Sequence, residues 1–83
     1  MEMSESIEAR AKRLIAEQFG VDPEELKPET HLVKDLKMES LDKIELIAAF
    51  EEEFDIEIPE EEAERNVTVG QVIEYVKAKL GVK

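Results

Sequence analysis

The sequence predicts an all-α domain of four helices, three long and one short, with a long irregular segment after the first. Three observations carry this. Three stretches place apolar residues at helical spacing. Start and stop signals bracket those stretches. The single strand-like stretch, Phe54-Asp55-Ile56-Glu57-Ile58, has no second strand candidate to pair with. Eighty-three residues make one domain, residues 1–83, with a modest core.

The first helix is expected from about Glu5 to Phe19. Ser4 and Ser6 are candidate N-caps, and Ile7, Ala11, Leu14, Ile15 and Gln18 form its inner stripe. Gly20 stands where a left-handed cap belongs, with Val21 placed to fold back on the last turn. Asp22-Pro23-Glu24-Glu25 reads as a single capped turn. Periodicity is then absent up to Glu39, where Leu26, Leu32, Val33 and Leu36 are expected to pin the chain to the core. The second long helix is expected from Ser40 to about Phe54. At about 100° per residue, Leu46, Ile47, Phe50 and Phe54 share one arc and form its core face. Leu41, Ile44 and Ala48 share an adjacent arc bordered by Glu45 and Glu52. Spacing alone fits this arc either to a wider core stripe or to an exposed strip for a partner helix. Residues 54–58 are read as an extended connector that tucks Ile56 and Ile58 inward, and a short helix follows from Glu60 to Arg65. Thr68 and Gln71 form a capping box that opens the last helix. Its stripe is Val69, Val72, Ile73, Val76 and Leu80, and Gly81 ends it.

The net charge is −11, and all of it lies in residues 39–64, where twelve acidic residues face Lys43 alone. Nucleic acid and anionic membranes are therefore poor partners, and basic protein surfaces good ones. No stretch is long and apolar enough for a membrane span, and no signal-peptide pattern is seen, so the cytoplasm is the expected compartment. There is no cysteine and one histidine, His31, which rules out a thiolate metal centre and a histidine cluster. Ser40 has no evident base to make it a nucleophile. Neither a catalytic residue nor a metal ligand is expected. What remains for Ser40 is attachment: the start of a helix offers free N–H groups and a positive dipole end that favour a phosphate ester. From spacing alone, a serine here reads first as the N-cap.

The stretch from Leu32 through Lys37-Met38-Glu39-Ser40-Leu41-Asp42 to Leu46 resembles the signature region of acyl carrier proteins. So do Glu51 to Pro59 with Glu62-Ala63-Glu64, and Val67-Thr68-Val69-Gly70 before the last helix. The resemblance covers nearly the whole chain and is most specific in the second long helix. It implies an acyl-carrier-like four-helix bundle. It also implies 4′-phosphopantetheine, taken from coenzyme A by a phosphopantetheinyl transferase and attached to Ser40 as a phosphodiester. The arm's thiol would hold acyl groups as thioesters for fatty-acid-synthesis enzymes, with the chain a non-catalytic, monomeric carrier. Glu39, Leu41, Ile44, Glu45, Ala48 and Glu52 fall at positions that meet basic and apolar patches on partners. Leu46, Ile47, Phe50, Phe54, Ile58, Ala63 and Ile73 are the candidates to line an acyl pocket, undivided here from plain core.

Two departures bear on function. The family usually has Asp before the serine, and Glu39 stands there; it usually has Gly-Ala or a similar pair where this chain has Lys37-Met38. Both lie where the transferase would touch the chain. They keep a second reading open: a carrier-fold interaction protein, or a specialised carrier of another thioester pathway, poorly or not modified.

Overall fold

The computed structural model describes residues 6–81. Four α-helices run in the order α1 (Ile7–Phe19), α2 (Ser40–Phe54), α3 (Glu60–Arg65) and α4 (Val69–Leu80), with a 3₁₀ turn at Pro23–Glu25. Among these residues there is no β-strand, and residues 55–59 form the expected extended connector. Ser6 caps α1 by accepting from the Ala9 N–H at 3.0 Å; Ser4 and Glu5 lie outside the described residues. Gly20 adopts φ 68°, and the Val21 N–H returns to the Ala16 carbonyl at 3.0 Å, as its sequence position required. Asp55 closes α2 in the same left-handed region, φ 55°. Its short polar side chain tolerates that region better than most.

The core is Ala11, Ile15 and Ala16 of α1; Leu46, Phe50 and Phe54 of α2; Val69, Ile73 and Val76 of α4; and Leu26 and Leu32 of the long loop. Helix α1 packs against both α2 and α4. Arg10 fastens α1 to the end of α2. Its Nε donates to Glu53 Oε2 at 2.9 Å, its Nη2 to the Glu53 carbonyl at 3.1 Å, and its guanidinium lies 4.7 Å from the Phe54 ring centre. Two anchors differ from expectation: Val33 is 48% exposed and Leu80 37%. Val33 lies in a turn of the long loop, and Leu80 is the last residue of α4.

The long loop is held by backbone as well as by side chains. The Leu32 N–H donates to the Val67 carbonyl at 2.8 Å, the Val69 N–H to Thr30 at 3.0 Å, and the Gly70 N–H to Pro28 at 2.9 Å. His31 is part of this scaffold: its Nδ1 accepts from the N–H groups of Val33 and Lys34 at 3.2 and 3.0 Å. The loop runs so close to α4 that a Cβ on Gly70 would stand 3.0 Å from the Pro28 carbonyl oxygen. Gly70→Ala gains helix propensity but must push loop backbone away. A net loss of about 1 kcal/mol is expected by urea denaturation, opposite in sign to a Gly-to-Ala change in an open helix.

Candidate functional site

Ser40 is the first residue of α2, not its cap; Glu39 is the cap. The helix starts at Ser40 as expected, while spacing alone read that serine as the cap because serine is the commoner capping residue. Asp42 supports the junction: its Oδ2 accepts from the Glu39 N–H at 3.1 Å, one arm of a capping box. The Ser40 hydroxyl is thereby left over. It is exposed, and among the described residues nothing hydrogen-bonds to its Oγ. A free hydroxyl beside the unpaired N–H groups of a helix start is a good place for a phosphate ester.

The turn before it is strained. Lys37 adopts φ 61°, a left-handed conformation that glycine takes without cost. Its N–H reaches the Val33 carbonyl at 3.0 Å, and the Met38 N–H reaches Leu32 at 3.0 Å, so the chain reverses direction there. Lys37→Gly should relieve about 1 kcal/mol of this strain and raise the melting temperature. A lower melting temperature would mean that the lysine stem packs in a way that outweighs its backbone.

Ser40 lies between two surface grooves. One passes Val33, Met38, Glu39 and Lys43 toward Glu64 and Val67. The other passes Ile44, Ile47, Ala48 and Glu51 toward Ile58 and Glu60. Both border an almost entirely apolar cavity of about 60 Å³ between α2, α3 and α4. Leu46, Ile47, Phe50, Ile58 and Ala63 line it, five of the seven residues that sequence nominated. Phe54 and Ile73 do not. Phe54 is one turn beyond Phe50, where its ring packs on Arg10 and, with centres 5.7 Å apart, on Phe50. Ile73 lies between Val72 and Val76 in sequence but on a different face of α4, and is core.

Further lining comes from Leu32, Met38, Lys43, Val72, Tyr75 and Val76. Sequence carried a signal for Lys43, which follows Ser40 by three residues and so shares its face. It carried none for Met38, which enters by the loop. Tyr75 sits on the rim with its hydroxyl donated to Glu62. Burial, together with that carboxylate, pushes the phenol up to about 12. The folded state therefore keeps a proton that the unfolded chain releases near pH 10. Stability is full below that pH and falls as pH rises toward 12. Tyr75→Phe should flatten this alkaline loss, read as melting temperature against pH.

The outer arc of α2 is open. Leu41 and Ile44 are each 64% exposed, and Ala48 is exposed beside them. Glu39, Glu45 and Glu52 are exposed around this strip. Glu45 is steadied by Gln18, whose Nε2 donates to it at 2.8 Å. Glu51 plays a structural part instead, accepting from the Ile58 N–H at 2.8 Å. Among the described residues no three acidic or histidine side chains converge on a cation position, and no helix is long and apolar enough to cross a membrane.

Domains built this way are known. The family model described as "Phosphopantetheine attachment site" matches residues 9–76, which include α2, α3 and most of α1 and α4. Such domains carry 4′-phosphopantetheine covalently, meet transferases and synthesis enzymes, and are in general not catalytic. With the signature turn, the four-helix bundle and the match over most of its length, this chain belongs to the phosphopantetheine attachment family and is an acyl-carrier-type domain.

Proposed function

We propose that Ser40 is the attachment point and that the chain is a carrier of the fatty-acid-synthesis type, working in the cytoplasm as a monomer and not itself an enzyme. The observation that supports this best is an exposed hydroxyl on the first turn of α2, without a hydrogen-bond partner among the described residues, between two grooves that border one apolar cavity. In loading, Ser40 Oγ attacks the phosphorus of coenzyme A that bears pantetheine. An Oγ–P bond forms, the P–O bond to 3′,5′-ADP breaks, and the hydroxyl proton leaves to a base on the transferase. The arm supplies the thiol that this cysteine-free chain lacks. The residues that stay with the chain orient and shelter: Glu39 and Asp42 fix the junction, and the cavity takes apolar cargo.

Partner enzymes would meet the strip of Leu41, Ile44 and Ala48, with Glu39, Glu45 and Glu52 turned to basic residues around an apolar patch. The acidic bias supports the fatty-acid-synthesis assignment by resemblance and argues against nucleic-acid or membrane partners. Intact mass after incubation with coenzyme A, magnesium and a broad-specificity phosphopantetheinyl transferase tests the reading. A gain of one phosphopantetheine is expected. No gain from a protein folded by circular dichroism would favour the armless interaction protein, for which the strained Lys37 turn and Glu39 are the motive. Lys37→Gly with Glu39→Asp would then show whether the turn alone prevents loading.

A further inference from the structure

We infer that Met38 and the Lys43–Glu64 ion pair form the doorway between Ser40 and the cavity, and that they limit the length of acyl chain that the cavity shelters. The inference rests on the carrier reading above. Lys43 borders the cavity and both grooves beside Ser40, and Met38 borders the cavity and one of them. The Lys43 ammonium is held 3.3 Å from Glu64 Oε2, across the gap from α2 to α3. The lysine side chain is 26% exposed and its partner 60%. The lysine stem thus lies along the apolar mouth while the carboxylate holds its head at the surface.

The cavity behind this doorway is small. A dry cavity of about 150 Å³ admits benzene, so about 60 Å³ leaves room for about two or three carbons. A longer chain must displace a wall. Leu46, Phe50 and Val76 are at most 6% exposed and belong to the core, so they yield least. The yielding walls are Met38, with its flexible thioether, and α3, which buries no residue. Helix α3 is tied down by rim contacts: Glu64 to Lys43, and Glu62 to Tyr75 and Lys79. Of these, only the Lys43–Glu64 tie crosses from the Ser40-bearing helix. An ion pair this exposed is weak enough to open during loading, yet each opening must carry methylenes past a charged group.

The test loads the full chain from a ladder of acyl-coenzyme A donors of increasing length, using the transferase, with mass confirming each product. The readout is the rate at which hydroxylamine cleaves the thioester. In the unaltered protein, protection is expected to rise over the shortest acyl groups and then level off. Lys43→Ala and Met38→Ala should move the plateau to longer chains, with about fourfold more protection for each extra methylene sheltered. Glu64→Gln, which frees the lysine without changing the cavity wall, should move it in the same direction by less. Lys34→Ala, at an exposed lysine outside the cavity and both grooves, should leave it in place, and circular dichroism of each variant guards against a trivial effect of unfolding. Loading of every protein with one shared plateau would overturn the doorway. Failure of the unaltered protein to load at all would instead overturn the role of Ser40, and the doorway with it.

Discussion

Ser40→Ala is expected to abolish loading completely while changing stability by only a few tenths of a kcal/mol. The two halves of this result are worth having together. A serine at a helix start is ordinarily a cap, and its loss costs about 1 kcal/mol. Here the cap is Glu39, Asp42 accepts the Glu39 N–H, and the Ser40 hydroxyl is exposed and makes no hydrogen bond among the described residues. Alanine is also the best helix former and fits the first turn. Intact mass and a urea titration on the same sample measure both halves. Loss of loading together with about 1 kcal/mol or more of stability would return the serine to a capping role. Residual loading would place the attachment elsewhere.

Phe50→Ala should have the largest effect on the fold, a loss of about 3–5 kcal/mol. Phe50 is 2% exposed, packs on Phe54 with ring centres 5.7 Å apart, and already borders the cavity. Truncation would enlarge an existing void, and the backbone around it is fixed by α1 and by the loop hydrogen bonds, so collapse is limited. A domain of 83 residues has on the order of 4–12 kcal/mol in total. The variant should therefore be partly unfolded at room temperature and bind a dye for exposed apolar surface. A loss below about 2 kcal/mol would mean that α3 and the loop close in to fill the space.

Much of the fold was legible because its signals are local. Gly20, the Asp22–Pro23 turn, the Thr68–Gln71 box and the apolar stripes each report on a few neighbouring residues, and each element formed at the expected place. The even spacing of Leu46, Phe50 and Phe54 showed the inner face of α2 for the same reason. What could not be read depends on residues far apart in the chain. Val33 carries an apolar side chain but falls on the outer side of a turn whose path is set by hydrogen bonds to Val67 and Thr68's neighbour Val69. Phe54 and Ile73 are as apolar as the residues around the cavity. Only the placement of α3 decides which apolar residues face a void and which face each other. The Lys43–Glu64 tie was invisible for the same reason, since nothing local to either residue names the other. Exposure of Leu41 and Ile44 was left open by spacing, because a helical arc shows its width and not what covers it.

The segregation of charge has a kinetic consequence. All of the net charge of −11 lies in residues 39–64, and Ser40 stands at the beginning of that segment. Charge gathered in one segment gives a molecule an electric moment, and in the field of a basic patch such a molecule rotates before it touches. Encounters would then favour the segment that Ser40 opens over the rest of the chain, whose charges cancel. The gain is in association rate, not in how long the complex lasts. A carrier that must visit one enzyme after another is served by fast arrival and easy departure, and a charge distribution supplies the first without impeding the second.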